Sequence, residues 1–245
     1  MEDLTEKRLR ELAQRSWSRG IPCFTDFLDL NGQTVLRRIR NTLPPADIRL
    51  FGGAEGCERL MAGFGPTENE DFPIACLRIY PTGARFAEEL GHRDVLGSLM
   101  SLGFERSLLG DIVLRDKEAW LFCEERIVDF ITDNLVSIRR TSVSCERAAA
   151  PPPGELFHTE RRVFQVASER MDALVAHAFR LSRGNAQSLF PAGNVFLDGA
   201  QCQNPDTLPR SGQIVSVRGM GRFRFLGAET VSKKGKLNTV IEMYV

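Results

Sequence analysis

Residues 169–199 read ERMDALVAHAFRLSRGNAQSLFPAGNVFLDG, and this stretch decides the predicted fold of the C-terminal part of the chain. Apolar residues at helical spacing predict a first helix over 171–179. Ser182 is a favoured N-cap residue and predicts a second helix over 182–190. Asp198-Gly199 is typical of a tight turn between two short strands. The stretch therefore predicts two adjacent helices followed by a β-hairpin.

The polar side chains of these two helices predict a cationic surface. Burial of the apolar stripe leaves Arg170 and Arg180 toward solvent, while Arg183 and Gln187 share the exposed face of the second helix. Backbone donors at the helix start, at Ser182, would lie next to Arg183. Such groups bind phosphate and position RNA without reading much of its sequence.

Positive charge is concentrated in the same part of the chain. The whole chain carries 32 Lys or Arg and 32 Asp or Glu, a net charge of zero. Residues 160–236 carry 12 basic residues against 6 acidic ones, whereas residues 1–159 carry 20 against 25. This asymmetry predicts a positive field that attracts RNA, although a solvated basic face is the alternative. The further basic candidates for RNA binding are Arg218, Arg222, Arg224, Lys233, Lys234 and Lys236.

Upstream, the sequence predicts two other α/β segments, so that the fold class is α+β. Residues 1–72 predict a small α/β unit, with a helix capped by Asn31 among its elements. Residues 73–147 predict the order strand, helix, strand, strand, helix, strand, which is typical of ferredoxin-like and RNA-recognition-motif domains. Tyr80, Trp120 and Phe122 are too scattered for a base-stacking signature and indicate core positions.

A proline-rich segment separates these parts from the C-terminal one. Residues 148–159 contain Pro151-Pro152-Pro153, which removes backbone donors and predicts a linker. Residues 160–245 then form the predicted RNA-binding domain, and residues 239–245 are expected to add an edge strand.

The sequence contains no catalytic signature: GxSxG, HExxH, P-loop and dinucleotide-binding patterns are all missing. Its six cysteines include no CxxC pair, which predicts reduced thiols and no metal site. His92, Arg93 and Asp94 are neighbours on a predicted helix, where side chains diverge, so they indicate capping or a secondary RNA contact. We expect no catalytic residue, no metal, no cofactor and no small-molecule substrate.

No window of the sequence is apolar enough to span a bilayer, and the first residues lack the pattern of a signal peptide. The sequence therefore predicts a cytoplasmic protein without a membrane partner, and we expect it to be a monomer.

Two sets of motifs resemble known families. Arg170-Met171-Asp172, Ser182-Arg183 and Asp198-Gly199 are similar to the S4 RNA-binding motif. Residues 214–223, IVSVRGMGRF, resemble the ending typical of one S4 subfamily, the YlmH proteins. Residues 91–112, GHRDVLGSLMSLGFERSLLGDI, resemble the most characteristic block of those proteins. Shorter similar stretches lie at 24–28, 52–59 and 141–145.

The resemblance implies a non-catalytic protein that binds the large ribosomal subunit carrying peptidyl-tRNA and assists ribosome-associated quality control. Its partners would be ribosomal RNA and tRNA. Asn185, Pro191 and Asn194 stand where relatives tend to have basic residues, so we expect weaker, more salt-sensitive binding through the second helix. Two alternatives stay open: a cell-division adaptor with an incidental basic face, and an S4-containing RNA-modifying enzyme.

Overall fold

The computed structural model describes residues 4–45, 47–83, 88–232 and 235–244. The chain divides into two compact units, Met1–Leu156 and Phe157–Val245.

The first unit combines a small three-stranded sheet with a five-stranded one. Its elements in chain order are α1 (Leu4–Arg19), β1 (Cys23–Phe24), α2 (Leu30–Ile39), β2 (Ile48–Phe51), β3 (Met61–Phe64), β4 (Ile74–Pro81), α3 (His92–Ser101), β5 (Leu109–Arg115), β6 (Glu118–Glu124), α4 (Val128–Asn134), β7 (Ser137–Ile138) and β8 (Thr141–Ala148). Short 3-10 turns lie at Arg40–Thr42, Asn69–Asp71, Arg106–Leu108 and Glu125–Ile127.

The small sheet has the antiparallel order β1-β3-β2. Helices α1 and α2 pack on it through apolar residues that include Leu12, Leu36 and Phe64. The predicted cap at Asn31 is wrong, because Asn31 already lies within the first turn of α2. The cap is Asp29, whose backbone is extended and whose Oδ1 accepts a 2.8 Å hydrogen bond from Gly32 N.

The five-stranded sheet is antiparallel with the order β5-β6-β4-β8-β7. The predicted order of strands and helices is confirmed, except that the last predicted strand is a hairpin of β7 and β8. Arg139 turns the chain there with a positive φ of 52°. Helices α3 and α4 cover one face of the sheet, where Leu77, Leu99, Leu121 and Ile131 are buried together.

The opposite face of this sheet is covered largely by the first 72 residues. Phe27, Met61 and Phe72 pack against Trp120 and Phe122, which are 7% and 1% exposed. The prediction of core positions is therefore confirmed for Trp120 and Phe122, whereas Tyr80 is only half-buried. A surface on which an RNA recognition motif would stack bases is filled here by the protein's own side chains.

The second unit is a six-stranded sheet with two short helices. Its elements are β9 (Thr159–Val166), α5 (Met171–Ala178), α6 (Arg183–Ser188), β10 (Val195–Leu197), β11 (Ala200–Gln201), β12 (Ile214–Val217), β13 (Gly221–Val231) and β14 (Leu237–Tyr244). The order is β11-β10-β12-β13-β14-β9, with antiparallel neighbours throughout.

The predicted C-terminal strand exists, but its expected place at an edge is wrong. β14 lies between β13 and β9, because β9 pairs with it from Leu237–Val166 to Tyr244–Thr159. The edge position belongs to β9.

Local capping and turn chemistry agree with the sequence. Ser182 caps α6, since its Oγ accepts a 3.2 Å hydrogen bond from Asn185 N. Asp198 and Gly199 have positive φ angles of 47° and 77°, as a two-residue hairpin turn requires. Helices α5 and α6 cover one face of the sheet, where Leu174, Phe190 and Phe223 are buried in one core. Within the described ranges, no helix is long and apolar enough to cross a membrane.

Candidate nucleic-acid interface

The carboxylate of Asp172 joins the two helices of the second unit. Asp172 lies in the first turn of α5 and is 0% exposed. Gln187 Nε2 donates to its Oδ2 over 2.8 Å, and Arg183 Nε donates to the same oxygen over 3.2 Å. Arg170 also donates to Asp172, through Nε and Nη2, both over 3.3 Å. Three of the predicted RNA-binding residues therefore converge on one buried acid.

The hydrogen bonds decide the ionisation of this acid. Burial by itself raises the pKa of Asp172, but the hydrogen bonds from Gln187, Arg183 and Arg170 outweigh it and lower the pKa below its ordinary value. A charged carboxylate thus holds the guanidinium groups of Arg170 and Arg183 in place. Arg170 also forms an ion pair with Asp206.

The outer surface of these helices carries exposed arginines. The side chain of Arg183 remains 58% exposed despite its bond to Asp172. Arg180, Ser182 and Gln187 are also exposed. Arg180 has a positive φ of 55° in the turn between α5 and α6. Helix α6 has only six residues, so its dipole adds little to the backbone donors at its start.

Three other predicted residues lie on the opposite face of the sheet. Phe223 and Phe225 of β13 are buried against α5 and α6. Because strand side chains alternate between faces, Arg222 and Arg224 point away from the helices. Arg218 follows β12 in the turn before β13 and is exposed. The predicted basic residues therefore form two surfaces and not one.

Aromatic rings accompany the arginines on this second surface. The guanidinium carbon of Arg222 lies 4.2 Å from the ring centroid of Tyr244 and 5.5 Å from that of Phe157. Arg224 donates to the Tyr244 hydroxyl over 3.0 Å. Arg218 lies 5.5 Å from the ring centroid of Phe196. These rings are not among the residues predicted from the sequence. The alternation of side chains along the strand that contains Phe196 is the signal that could have indicated them.

The remaining candidates are placed elsewhere. Lys236 is exposed just before β14, whereas Lys233 and Lys234 lie outside the described residues. His92, Arg93 and Asp94 begin α3 of the first unit. Gly91 caps that helix without a side-chain bond, and Asp94 pairs with Arg139 over 3.4 Å. The predicted capping by Asp94 is therefore replaced by an ion pair.

Three stretches that resemble the YlmH family meet within the first unit. Asp111 Oδ2 accepts from the backbone N of Glu58 at 2.5 Å and of Arg59 at 3.0 Å. Arg59 donates through Nη2 to the carbonyl oxygens of Phe27 and Arg106, over 3.1 and 3.2 Å. Burial lowers the pKa of Arg106 to about 10. The side chains of Asp111 and Arg59 thus hydrogen-bond to backbone groups of neighbouring stretches, so their role is structural.

In the part of the chain that the structure describes, no group of three or more His, Cys, Asp or Glu side chains could hold a metal ion. All six cysteines are free thiols, four of them buried.

Comparison with known proteins connects these features to one family. Residues 66–150 match a family model described as "Putative RNA-binding domain in YlmH". The chain is 29% identical over 228 residues to a Bacillus subtilis (strain 168) protein named ribosome-associated protein quality control protein P2. That match covers 89% of this chain and 86% of the relative.

A solved structure from Streptococcus pneumoniae, named cell division protein ylmH, is also similar. It is 21% identical to this chain, with a TM-score of 0.49. The match covers 60% of this chain and 93% of the solved chain. The family model and the Bacillus relative together confirm the resemblance to the YlmH family that the sequence motifs predict.

Proposed function

We propose that the protein is a non-catalytic RNA-binding protein that associates with the ribosome and acts in ribosome-associated quality control. Its partners would be large-subunit ribosomal RNA and tRNA. The relative named for ribosome-associated quality control, which matches over most of both chains, supports the process. The match of residues 66–150 to an RNA-binding family model supports RNA as the ligand class.

The proposal assigns RNA-binding folds to two parts of the chain. Residues 160–245 would form an S4 domain, supported by the helix pair that Ser182 caps and by the hairpin at Asp198-Gly199. Residues 73–147 would form a ferredoxin-like domain, supported by the strand order β5-β6-β4-β8. Residues 1–72 and the segment 148–159 would be the N-terminal α/β unit and the linker.

The observation that carries the proposal is the arrangement around Asp172. A flexible arginine loses side-chain entropy when it binds a phosphate. Here the Nε of Arg183 is anchored to a buried carboxylate while 58% of its side chain stays exposed. The guanidinium is thereby preorganised, which lowers the cost of binding a phosphate of the RNA backbone.

The same arrangement argues against an RNA-modifying enzyme that would use the Arg170-Met171-Asp172 triplet. A catalytic aspartate must reach the substrate. Asp172 is 0% exposed and accepts hydrogen bonds from three side chains. Its carboxylate therefore stabilises the helix pair and is not accessible to a substrate.

The salt dependence of RNA binding tests the proposal. We expect the full chain to bind ribosomal RNA fragments with an affinity that falls as salt rises. The double variant Arg180→Gln/Arg183→Gln should bind more weakly, with a salt slope lower by about one to two. Arg15→Gln, which removes one exposed charge from α1, is the control and should bind as the wild type does. Salt-independent binding, or none, would favour the cell-division adaptor instead.

A further inference from the structure

The sheet face opposite α5 and α6 carries a row of polar and aromatic side chains. Phe196 of β10 pairs with Gln201 on one side and with Ser216 on the other. Ser216 pairs in turn with Arg222 of β13. Paired residues point to the same face, so these side chains form one line across neighbouring strands. Tyr244 of β14 continues the line through its contact with Arg222.

This row contains two places where a cation lies on a ring. The first is Arg218 over Phe196, at 5.5 Å. The second is Arg222 over Tyr244, at 4.2 Å, with the Phe157 ring 6.0 Å from that of Tyr244. Phe196, Tyr244 and Phe157 are each half-buried, so their rings are packed in place and yet reach the surface.

The charge on this face favours an anion. Arg218, Arg222 and Arg224 lie on or beside the row, and Arg224 also pairs with Glu242 over 3.6 Å. Arginines and flat rings together suit nucleotides whose bases are unpaired, because guanidinium groups bind phosphate while rings and guanidinium planes stack on bases. Duplex RNA keeps its bases inside the helix and cannot use the rings.

From this geometry we propose that the sheet face defined by Phe196, Arg218, Arg222 and Tyr244 is a second RNA site that binds single-stranded nucleotides by stacking. The inference rests on the proposed function and adds to it. The helix face would contact phosphates of any RNA, and the sheet face would select unpaired bases. One C-terminal unit could then hold two RNA segments on opposite sides.

Binding of two labelled RNA probes to the full chain tests this inference. One probe is a 12-nucleotide oligouridylate and the other is a 12-base-pair RNA duplex. Tyr244→Leu keeps an apolar side chain but removes the ring, and we expect it to weaken oligouridylate binding about tenfold, the effect of one lost stack. Its duplex affinity should stay within about twofold of wild type. Tyr244→Phe retains the ring and should bind both probes nearly as wild type.

A second variant separates this inference from the proposed function. Arg183→Gln should weaken the binding of both probes, because it removes a phosphate contact from the helix face. If the wild type binds both probes and Tyr244→Leu binds oligouridylate equally well, the stacking site is wrong while RNA binding stands. If the wild type binds neither probe, the proposed function and the stacking site both fail. Amide hydrogen exchange of β13 and β14 verifies that each variant is folded.

Discussion

Gln187 Nε2 donates a 2.8 Å hydrogen bond to Oδ2 of the fully buried Asp172, fifteen residues earlier in the chain. The bond links α6 to α5, and Arg183 and Arg170 donate to the same carboxylate. The acid therefore fixes both the packing of the helix pair and the orientation of its cationic surface.

Replacement of this acid should loosen the helix pair. We expect Asp172→Asn to destabilise α5 and α6 by about 1–3 kcal/mol, because a buried amide replaces an acceptor of charge-assisted hydrogen bonds. Faster amide hydrogen exchange in α5 and α6 of the full chain measures this loss. Asp129→Asn alters a carboxylate that is 94% exposed and should leave exchange unchanged. Equal exchange in both variants would mean that Asp172 does not hold the helices.

The ionisation of Asp172 also predicts a pH dependence. Its folded-state pKa is lowered, so its contribution to stability is fully present above the unfolded pKa of about 3.9 and is lost as pH falls through the folded pKa. Hydrogen exchange in α5, after correction for its intrinsic pH dependence, should reveal less protection below about pH 4. Asp172→Asn should lack this part of the pH dependence, and a full pH response in that variant would assign it to other carboxyls.

Two glycines of the first unit should respond oppositely to alanine. Gly53 has a φ of 104°, and a Cβ there would lie 2.3 Å from Phe122 Cδ1, so Gly53→Ala should cost about 2–4 kcal/mol. Gly97 lies within α3 with nothing within 4 Å of an added Cβ, so Gly97→Ala should stabilise by about 0.5–1 kcal/mol.

Thermal unfolding followed by tryptophan fluorescence measures both effects, since Trp17 and Trp120 lie in the first unit. A lowered melting temperature for Gly53→Ala and a raised one for Gly97→Ala are the expected results. A melting temperature of Gly53→Ala at or above that of the wild type would contradict the close approach to Phe122.

Four thiols of the first unit should react slowly in the folded protein, those of Cys57, Cys76, Cys123 and Cys145. Burial raises the pKa of Cys57 and Cys123 to about 12, and that of Cys76 and Cys145 to about 11. Because the thiolate is the reactive form, alkylation by iodoacetamide at pH 8 should be far slower in the native protein than in urea. Mass spectrometry of the labelled peptides measures each site, and rapid native labelling of Cys57 would be the opposite result.

The sequence correctly predicted features of the structure that depend on residues close together in the chain. The Ser182 cap and the Asp198-Gly199 turn depend on neighbouring residues and were identified from the sequence. The cap at Asn31 was placed two residues late, since Asp29 and Asn31 are both acceptable cap residues and only the backbone conformation distinguishes them.

The sequence did not predict the features that depend on contacts between residues far apart in the chain. The internal place of β14 depends on β9, whose residues precede it by more than seventy positions. Asp172 accepts hydrogen bonds from the side chains at positions 170, 183 and 187. These side chains converge only because α5 packs against α6. The rings beside Arg222 likewise become neighbours only when three separate segments come together.

Co-sedimentation with large ribosomal subunits tests the central claim most directly. We expect the full chain to sediment with isolated large subunits, Arg180→Gln/Arg183→Gln to remain mostly near the top of the gradient, and Arg15→Gln to behave as the wild type. Sedimentation of the double variant at the wild-type level, or failure of the wild type to sediment with the subunits, would contradict the claim that the helix face attaches the protein to ribosomal RNA.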